Sequence, residues 1–406
     1  MRKAKHDTAS YEKCGYEREI DNGNTLYDSF RKAEKGSDWK PQVQKFEMTY
    51  LLGLSQIQKD LRNRTYKLKP TSDFKLQERG KVRWVSGEQV EDRIVKHALC
   101  DEVLTPAIRP HLIYDNTASL KGRGIDLARK RLLVHLRRYY QRHGSNEGYI
   151  LLIDYTKYYD NIRHDKFYDL IAKYTDNDLA LWLLKQILDR ERVDVSYMSD
   201  EEYKNCMQTV FNSLKYSEID RSLLTGEKYM AKHLNIGDQV AQTAGISYPI
   251  VIDNYVKIVC GVKEYARYSD DSYAIHESRE FLEALRDDLT VIAQQIGITL
   301  NRKKTMIVKL SDYWRFLQMQ YSLTETGRVI HKINPKRLTT RRRSMKKVAR
   351  KGVMTPVDFD NWHRSWFKSH YKNMSRKQRL NLDSLYSKYK EVNKNVQDHT
   401  ERRNSA

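Results

Sequence analysis

Asp154 closes the apolar run Tyr149-Ile150-Leu151-Leu152-Ile153, and much later Tyr268-Ser269-Asp270-Asp271 stands between two strand-like runs, 264–268 and 272–276. A carboxylate at a strand end, facing carboxylates at the tip of a neighbouring hairpin, can hold two Mg²⁺ ions about 3.5–4 Å apart, the spacing that two-metal phosphoryl transfer needs. Magnesium takes oxygen ligands, usually one or two carboxylates plus substrate phosphates. Each aspartate taken alone reads as a turn or cap residue. The strand context on both sides and the second acidic strand end turn the reading toward a metal site. Asp160, just before a helix, reads as a cap or local structural residue instead of a third ligand.

Periodicity outlines the elements that must position these groups. Residues 41–64 have helical spacing, with Val43, Phe46, Tyr50, Leu51, Leu54, Ile57 and Leu61 on one stripe. Residues 65–85 read as extended, with Glu78-Arg79-Gly80 as a turn between short strands. Helices are expected over 89–104 and 125–142; the latter buries Ala128, Leu132, Leu136 and Tyr139 and shows a basic opposite face of Arg129, Lys130, Arg131, Arg137, Arg138 and Arg142. A buried strand at 149–154 leads to helices at 164–173 and 177–189. Residues 195–230 are polar and read as insertion or loop. An apolar helix follows at 245–259 with Pro249 near its first turn, then strand, turn and strand over 263–276. A helix over 281–296 stops at Gly297, and 298–310 and 315–321 read as extended. The order suits an α+β sheet covered by helices on one face.

Lys and Arg number 74 against 53 Asp and Glu, a net charge of +21. That surplus favours a polyanionic partner. No apolar run approaches the ~20 residues of a spanning helix, and the N-terminus lacks the apolar segment of a signal peptide. Cys14, Cys100, Cys206 and Cys260 are scattered without metal or disulfide spacing, and read as reduced thiols of a cytosolic protein. Residues 331–351 carry ten Lys and Arg and no acid, and Trp362, Trp366, Phe367 and Tyr371 follow. A basic patch of this kind binds polyanions through counterion release.

The segment Asp154-Tyr155-Thr156-Lys157-Tyr158-Tyr159-Asp160-Asn161-Ile162-Arg163-His164 resembles the first palm motif of bacterial and phage reverse transcriptases, and Tyr268–Asp271 resembles their Tyr-x-Asp-Asp motif. The resemblance implies a right-hand polymerase fold and two Mg²⁺ ions. It makes Asp154, Asp270 and Asp271 catalytic, with Asp154, Tyr155, Asp270 and Asp271 as the metal set. Tyr159 matches the aromatic gate that crowds a ribose 2′-OH. It runs in order over residues 25–345. Gly80-Lys81-Val82-Arg83 with Glu91-Asp92-Arg93-Ile94-Val95 looks like the fingers segment on the incoming triphosphate, where a basic hairpin gives charge-assisted hydrogen bonds. Arg83 is the best positional match, and Lys81 and Lys75 compete for the second cation. Tyr114-Asp115-Asn116 to Lys121-Gly122-Arg123-Gly124 matches the block ahead of the palm, with nucleic-acid backbone contact as its implied role. Gly297 to Thr305 resembles the motif ending Asn-x-Lys-Lys-Thr, with Lys304 as the lysine near the leaving pyrophosphate. Arg315-Phe316-Leu317-Gln318 resembles the primer grip, with Gln318 in place of Gly.

Ile236-Gly237-Asp238-Gln239-Val240-Ala241-Gln242 matches the diversity-generating type at Ile236, Gly237 and Gln242, with Ala241 replacing Ser. A branched apolar residue beside the nascent pair should read it less strictly than a hydrogen-bonding Gln. In that type the outcome is misincorporation opposite template adenine. The implied division is an N-terminal extension (1–40), fingers (41–148), palm (149–322, with an insertion at about 175–235), thumb (323–395) and tail (396–406). The implied partners are template RNA, a DNA or RNA primer, dNTPs and a small basic accessory protein, with no membrane. The alternatives are a group II intron-like maturase, an antiphage-defence reverse transcriptase, or an RNA-binding protein with a polymerase fold. No Cys/His-rich endonuclease follows the basic segment, which weakens the full maturase. Carboxylates kept together without metal would repel one another, which weighs against the non-catalytic reading.

Overall fold

A computed structural model describes residues 19–78, 81–216 and 218–404, with backbone alone for residues 78, 81 and 397–404. Residues 1–18, Cys14 among them, and Arg79 and Gly80 of the expected hairpin turn lie outside the described residues. Helices and strands are mixed. The strands are β1 (Ser72–Glu78), β2 (Lys81–Gly87), β3 (Tyr149–Ile153), β4 (Val193–Asp194), β5 (Tyr229–Met230), β6 (Tyr265–Tyr268), β7 (Asp271–His276), β8 (Met306–Lys309), β9 (Trp314–Phe316), β10 (Met319–Leu323) and β11 (Val329–Ile333). They form a β1-β2 hairpin, a β4-β5 pair, a four-stranded sheet in the order β6-β7-β3-β8 and a three-stranded sheet in the order β11-β10-β9. No helix among the described residues is long and apolar enough to cross a membrane.

The chain divides into two compact units. The first takes the chain up to Ala128, then Ile153–Tyr273 and Glu283–Met306; the second takes Arg129–Leu152, Ala274–Leu282 and the chain from Ile307. In the first unit, the helix Gly23–Glu34 buries Leu26, Phe30 and Ala33, so this part of the N-terminal segment belongs to the core. The helix expected over 41–64 breaks at Thr49 (φ −131°) into Pro41–Met48 and Tyr50–Arg62. The break turns Leu51 out to solvent, off the expected stripe. The helix from Val90 continues past Leu99 as a wider turn, Cys100–Leu104.

Residues 195–230 are not a loop. Ser199 caps the helix Asp200–Gln208 in a reciprocal box with Glu202, and Val195, Met198, Phe211 and Met230 bury one another in a small core of their own. The apolar helix starts earlier than the apolar run, at Gln239, because Asp238 caps it through the Ala241 amide. Pro249 then divides it from Ile250–Asn254, since proline cannot supply the amide a continuous helix requires. Of 298–310, only β8 is a strand.

In the second unit, the helix Ile125–His143, from Arg129 onward, buries Leu132, Leu136 and Tyr139. The basic segment is β11 followed by the helix Pro335–Lys351, which Asn334 caps and Gly352 ends in a left-handed conformation (φ 58°). Leu338, Arg341, Met345 and Ala349 make its buried stripe. Leu338 and Met345 pack with Ile333, Met374 and Leu382.

Candidate active site

Asp154 leaves β3, whose last four residues are buried, and enters a segment held by residues 299–305. The Asp154 carbonyl accepts from the Asn301 amide at 2.7 Å, and the Asp154 amide donates to Thr305 Oγ1 at 3.4 Å. Asn301 Oδ1 accepts from the Lys303 amide at 3.1 Å, closing a local turn. Its Nδ2 donates to Asp154 Oδ2 at 3.0 Å. The same turn carries Lys304 to the carboxylate, with Nζ 2.7 Å from Oδ1 and 2.8 Å from Oδ2. The Asn-x-Lys-Lys-Thr segment therefore wraps Asp154, and Lys304 pairs with it directly.

Ser269 and Asp270 form the tip between β6 and β7, with Ser269 left-handed at φ 56°. Asp271 is already the first residue of β7, so the acidic pair is split between turn and strand. Arg267 fixes this turn from below. Its guanidinium is fully buried and donates to both Asp253 oxygens (2.6–3.0 Å), to the Gly245 and Ile246 carbonyls (3.0 and 2.7 Å) and to the Ser269 carbonyl (3.1 Å). Tyr265 Oη donates to Asp253 Oδ1 at 2.7 Å. Sequence reasoning missed this pair. The available signal was an Asp inside an apolar helix and an Arg inside an apolar strand, buried charges that each require a partner.

The segment after Asp154 meets the same turn. Tyr159 Oη and Ser269 Oγ share a hydrogen bond at 3.2 Å, and Tyr158 Oη donates to the Gly245 carbonyl at 3.2 Å. A Cβ at position 245 would lie 2.6 Å from Tyr159 Oη, so glycine lets this helix approach. Burial raises the Tyr155, Tyr158 and Tyr159 hydroxyls, and the nearby Asp270 charge raises each further. The Tyr155 ring is buried, and its hydroxyl meets no hydrogen-bond partner among the described residues. Asp160 accepts from Ser213 Oγ (2.7 Å) and faces His233 Nδ1 (2.9 Å), tying the 195–230 insertion to the Asp154 segment.

Asp115 and Asn116 are buried, contrary to a nucleic-acid-facing role. The Arg267 amide donates to the Asp115 carbonyl at 3.1 Å, and Asn116 Nδ2 donates to the Ile246 carbonyl at 2.9 Å. Arg123 closes this loop on the Tyr114 and Asn116 carbonyls, while Lys121 and Gly122 are exposed.

In the β1-β2 hairpin, Arg83 stands opposite Leu76 and Lys75 opposite Trp84. Alternation therefore puts Arg83 and Lys75 on opposite faces. Lys75 Nζ lies 3.3 Å from Glu218. Lys81 lies two residues before Arg83, and its backbone alone is described. A cleft of about 620 Å³ collects Phe74, Val85, Arg93, Ile236, Gly237 and Gln242. In its wall Lys96, 1% exposed, donates to Glu88 and Asp238 and lies 3.7 Å from Glu191. These three carboxylates converge closely enough for a metal, but the Lys96 ammonium already sits among them and Arg190 flanks them. The cluster is thus a structural anchor for Asp238 and the helix it caps.

In the second unit, Leu317 and Gln318 form a two-residue turn between β9 and β10, both left-handed (φ 44° and 72°). Paired left-handed residues match a tight hairpin, although glycine or asparagine is the usual choice. Arg129 donates to the Leu317 carbonyl through Nη2 at 2.8 Å, and Arg337 donates to Gln318 Oε1. The turn is tight without its glycine because these cations hold it. In the basic helix, Arg341 stacks 3.3 Å from the Trp362 ring centroid, while Lys336, Arg343, Lys346, Lys347, Arg350 and Lys351 are exposed.

No protein-family model matches the chain, and no curated protein matches it in sequence. One solved structure to which it is similar is apo telomerase from Candida tropicalis, with a TM-score of 0.42 and 14% identity over 65% of this chain and 48% of that one. The chain spans about half the length of that neighbour. A likeness this slight bears on neither fold nor function.

Proposed function

We propose that the chain is an RNA-templated DNA polymerase, a reverse transcriptase of the diversity-generating type. Its domains are fingers (41–148), palm (149–322) and thumb (323–395). The observation that carries this reading is the meeting of the two acidic segments: Tyr159 bonds Ser269, and the Asp270 charge reaches the three tyrosines that follow Asp154. An all-oxygen set from Asp154, Asp270, Asp271 and the Tyr155 carbonyl fits Mg²⁺, whose ordinary ligands are of this kind. When bound, the ions would activate the attacking 3′-oxygen and offset charge on the leaving pyrophosphate.

The chain's own residues do the rest. Arg267 holds the turn that presents Asp270. Tyr159, braced by Ser269 and Gly245, crowds the ribose face. Arg83 receives phosphate oxygens from the hairpin, with Lys81 as its companion. Ile236 and Gly237, beside Gln242 in the cleft, border the nascent pair, where an apolar side chain in place of a hydrogen-bonding Gln reads the pair less strictly. Exposed cations on Pro335–Lys351 grip the nucleic-acid backbone. Asp270→Asn should abolish Mg²⁺-dependent dNTP incorporation on a primed RNA template, by about a thousandfold or more given the loss of a metal ligand. Undiminished synthesis would overturn the reading.

A further inference from the structure

We infer that Lys304 is a built-in counter-ion of the cation site: it holds the Asp154 carboxylate and is exchanged for a divalent ion, which frees its ammonium for the substrate's polyphosphate. The inference rests on the proposed two-metal reading and deepens it. Lys304 Nζ engages both Asp154 oxygens, at 2.7 and 2.8 Å. An ion ligated by either oxygen must displace it or share its charge.

The surroundings favour displacement. The Asp154 side chain is 12% exposed and that of Lys304 is 53% exposed. A carboxylate so enclosed is costly to leave without a positive partner, whereas a half-exposed ammonium regains water as it leaves. Exchanging one cation for another keeps the carboxylate compensated throughout. Asn301 Nδ2 stays on Oδ2 and holds the carboxylate's orientation during the exchange. Lysine suits the role because its ammonium is a compact point charge on a flexible stem, while a guanidinium would clamp both oxygens. Lys304 also sits in the short turn of residues 302–304, so only a side chain must move. Linkage makes the effect reciprocal: whatever tightens the ion loosens Lys304.

The test uses the purified full chain and two readouts that do not depend on catalysis. Mn²⁺ affinity is measured by the paramagnetic signal of the free ion, and Lys304 accessibility by amine acylation and peptide mass. Removing the charge in Lys304→Met should tighten Mn²⁺ about tenfold or more, because a positive charge close to the ion is lost. Lys304→Arg should weaken it. Mg²⁺ should raise Lys304 acylation severalfold in the native chain, and Asp154→Asn should show high acylation with or without Mg²⁺. Asp154-dependent Mn²⁺ binding that is unchanged in Lys304→Met, with acylation indifferent to Mg²⁺, would overturn the inference and leave the two-metal reading standing. If no variant shows Mn²⁺ binding that Asp154→Asn removes, the two-metal reading fails and the inference with it.

Discussion

Two ion pairs flank the candidate site and are built in opposite ways. Arg267 and Asp253 are 0% and 1% exposed, locked by several hydrogen bonds to each other and to three carbonyls. Lys304 and Asp154 make a similar charge contact, but the lysine is half in water. The first pair is closed off from solvent and held on several sides, and acts as scaffold. The second can trade its cation. The difference teaches that burial and bond count, not the presence of a charge pair, separate groups that hold the site from groups that work in it.

The largest effect on stability should come from breaking the scaffold pair. Arg267→Met strands a buried carboxylate and should cost about 3–5 kcal/mol, read by denaturant unfolding. A cost under about 1 kcal/mol would erase the contrast with Lys304. Gly245→Ala should come next, at about 1–3 kcal/mol, because its Cβ would meet Tyr159 Oη at 2.6 Å. It should also change discrimination between dNTPs and rNTPs; unchanged discrimination would remove Tyr159 from the ribose face.

Acid should act through the scaffold as well. Burial lowers the His164 imidazole to about 4, despite its bond to the His233 carbonyl. For a base with a depressed folded pKa, the neutral form is the stabilised one. Its contribution is full above about pH 6.5 and is lost as pH falls toward about 4, at most about 3 kcal/mol. His233 works the other way. Burial opposes its charge, but the Asp160 hydrogen bond and charge prevail and raise it, so its contribution is lost as pH rises. His164→Gln should flatten the acid limb of an unfolding-midpoint profile; an unaltered limb would contradict the assignment.

The smallest effects should divide the basic helix in the same manner. Arg341 is buried against Trp362, so Arg341→Met should lower the unfolding midpoint and leave the salt dependence of RNA binding alone. Lys346→Ala with Lys347→Ala should do the reverse, reducing the slope of log affinity against log salt by about one to two. A salt slope that moves only with Arg341 would invert the division.

Residues that act locally were legible in the sequence. Asp154 closes an apolar strand and Asp270 tips a hairpin, and both patterns sit within a few adjacent residues. The Asn301–Thr305 turn was recognisable, although its grip on Asp154 comes from across the fold. Lys96 was hidden because Asp238, its partner, lies 142 residues away. The 195–230 insertion was unreadable because Val195, Met198, Phe211 and Met230 follow no helical or strand period. The Leu317-Gln318 turn defied residue preference because Arg129 and Arg337 supply the restraint that glycine would have made unnecessary.

Primer extension on an RNA template by Asp154→Asn, run beside its thermal unfolding, separates a metal-holding carboxylate from a structural one. The unfolding midpoint should stay near that of the native chain, because Asn301 can still bond the amide that replaces the carboxylate, while Mg²⁺-dependent dNTP incorporation is lost. Incorporation at the native rate would contradict the metal-holding role.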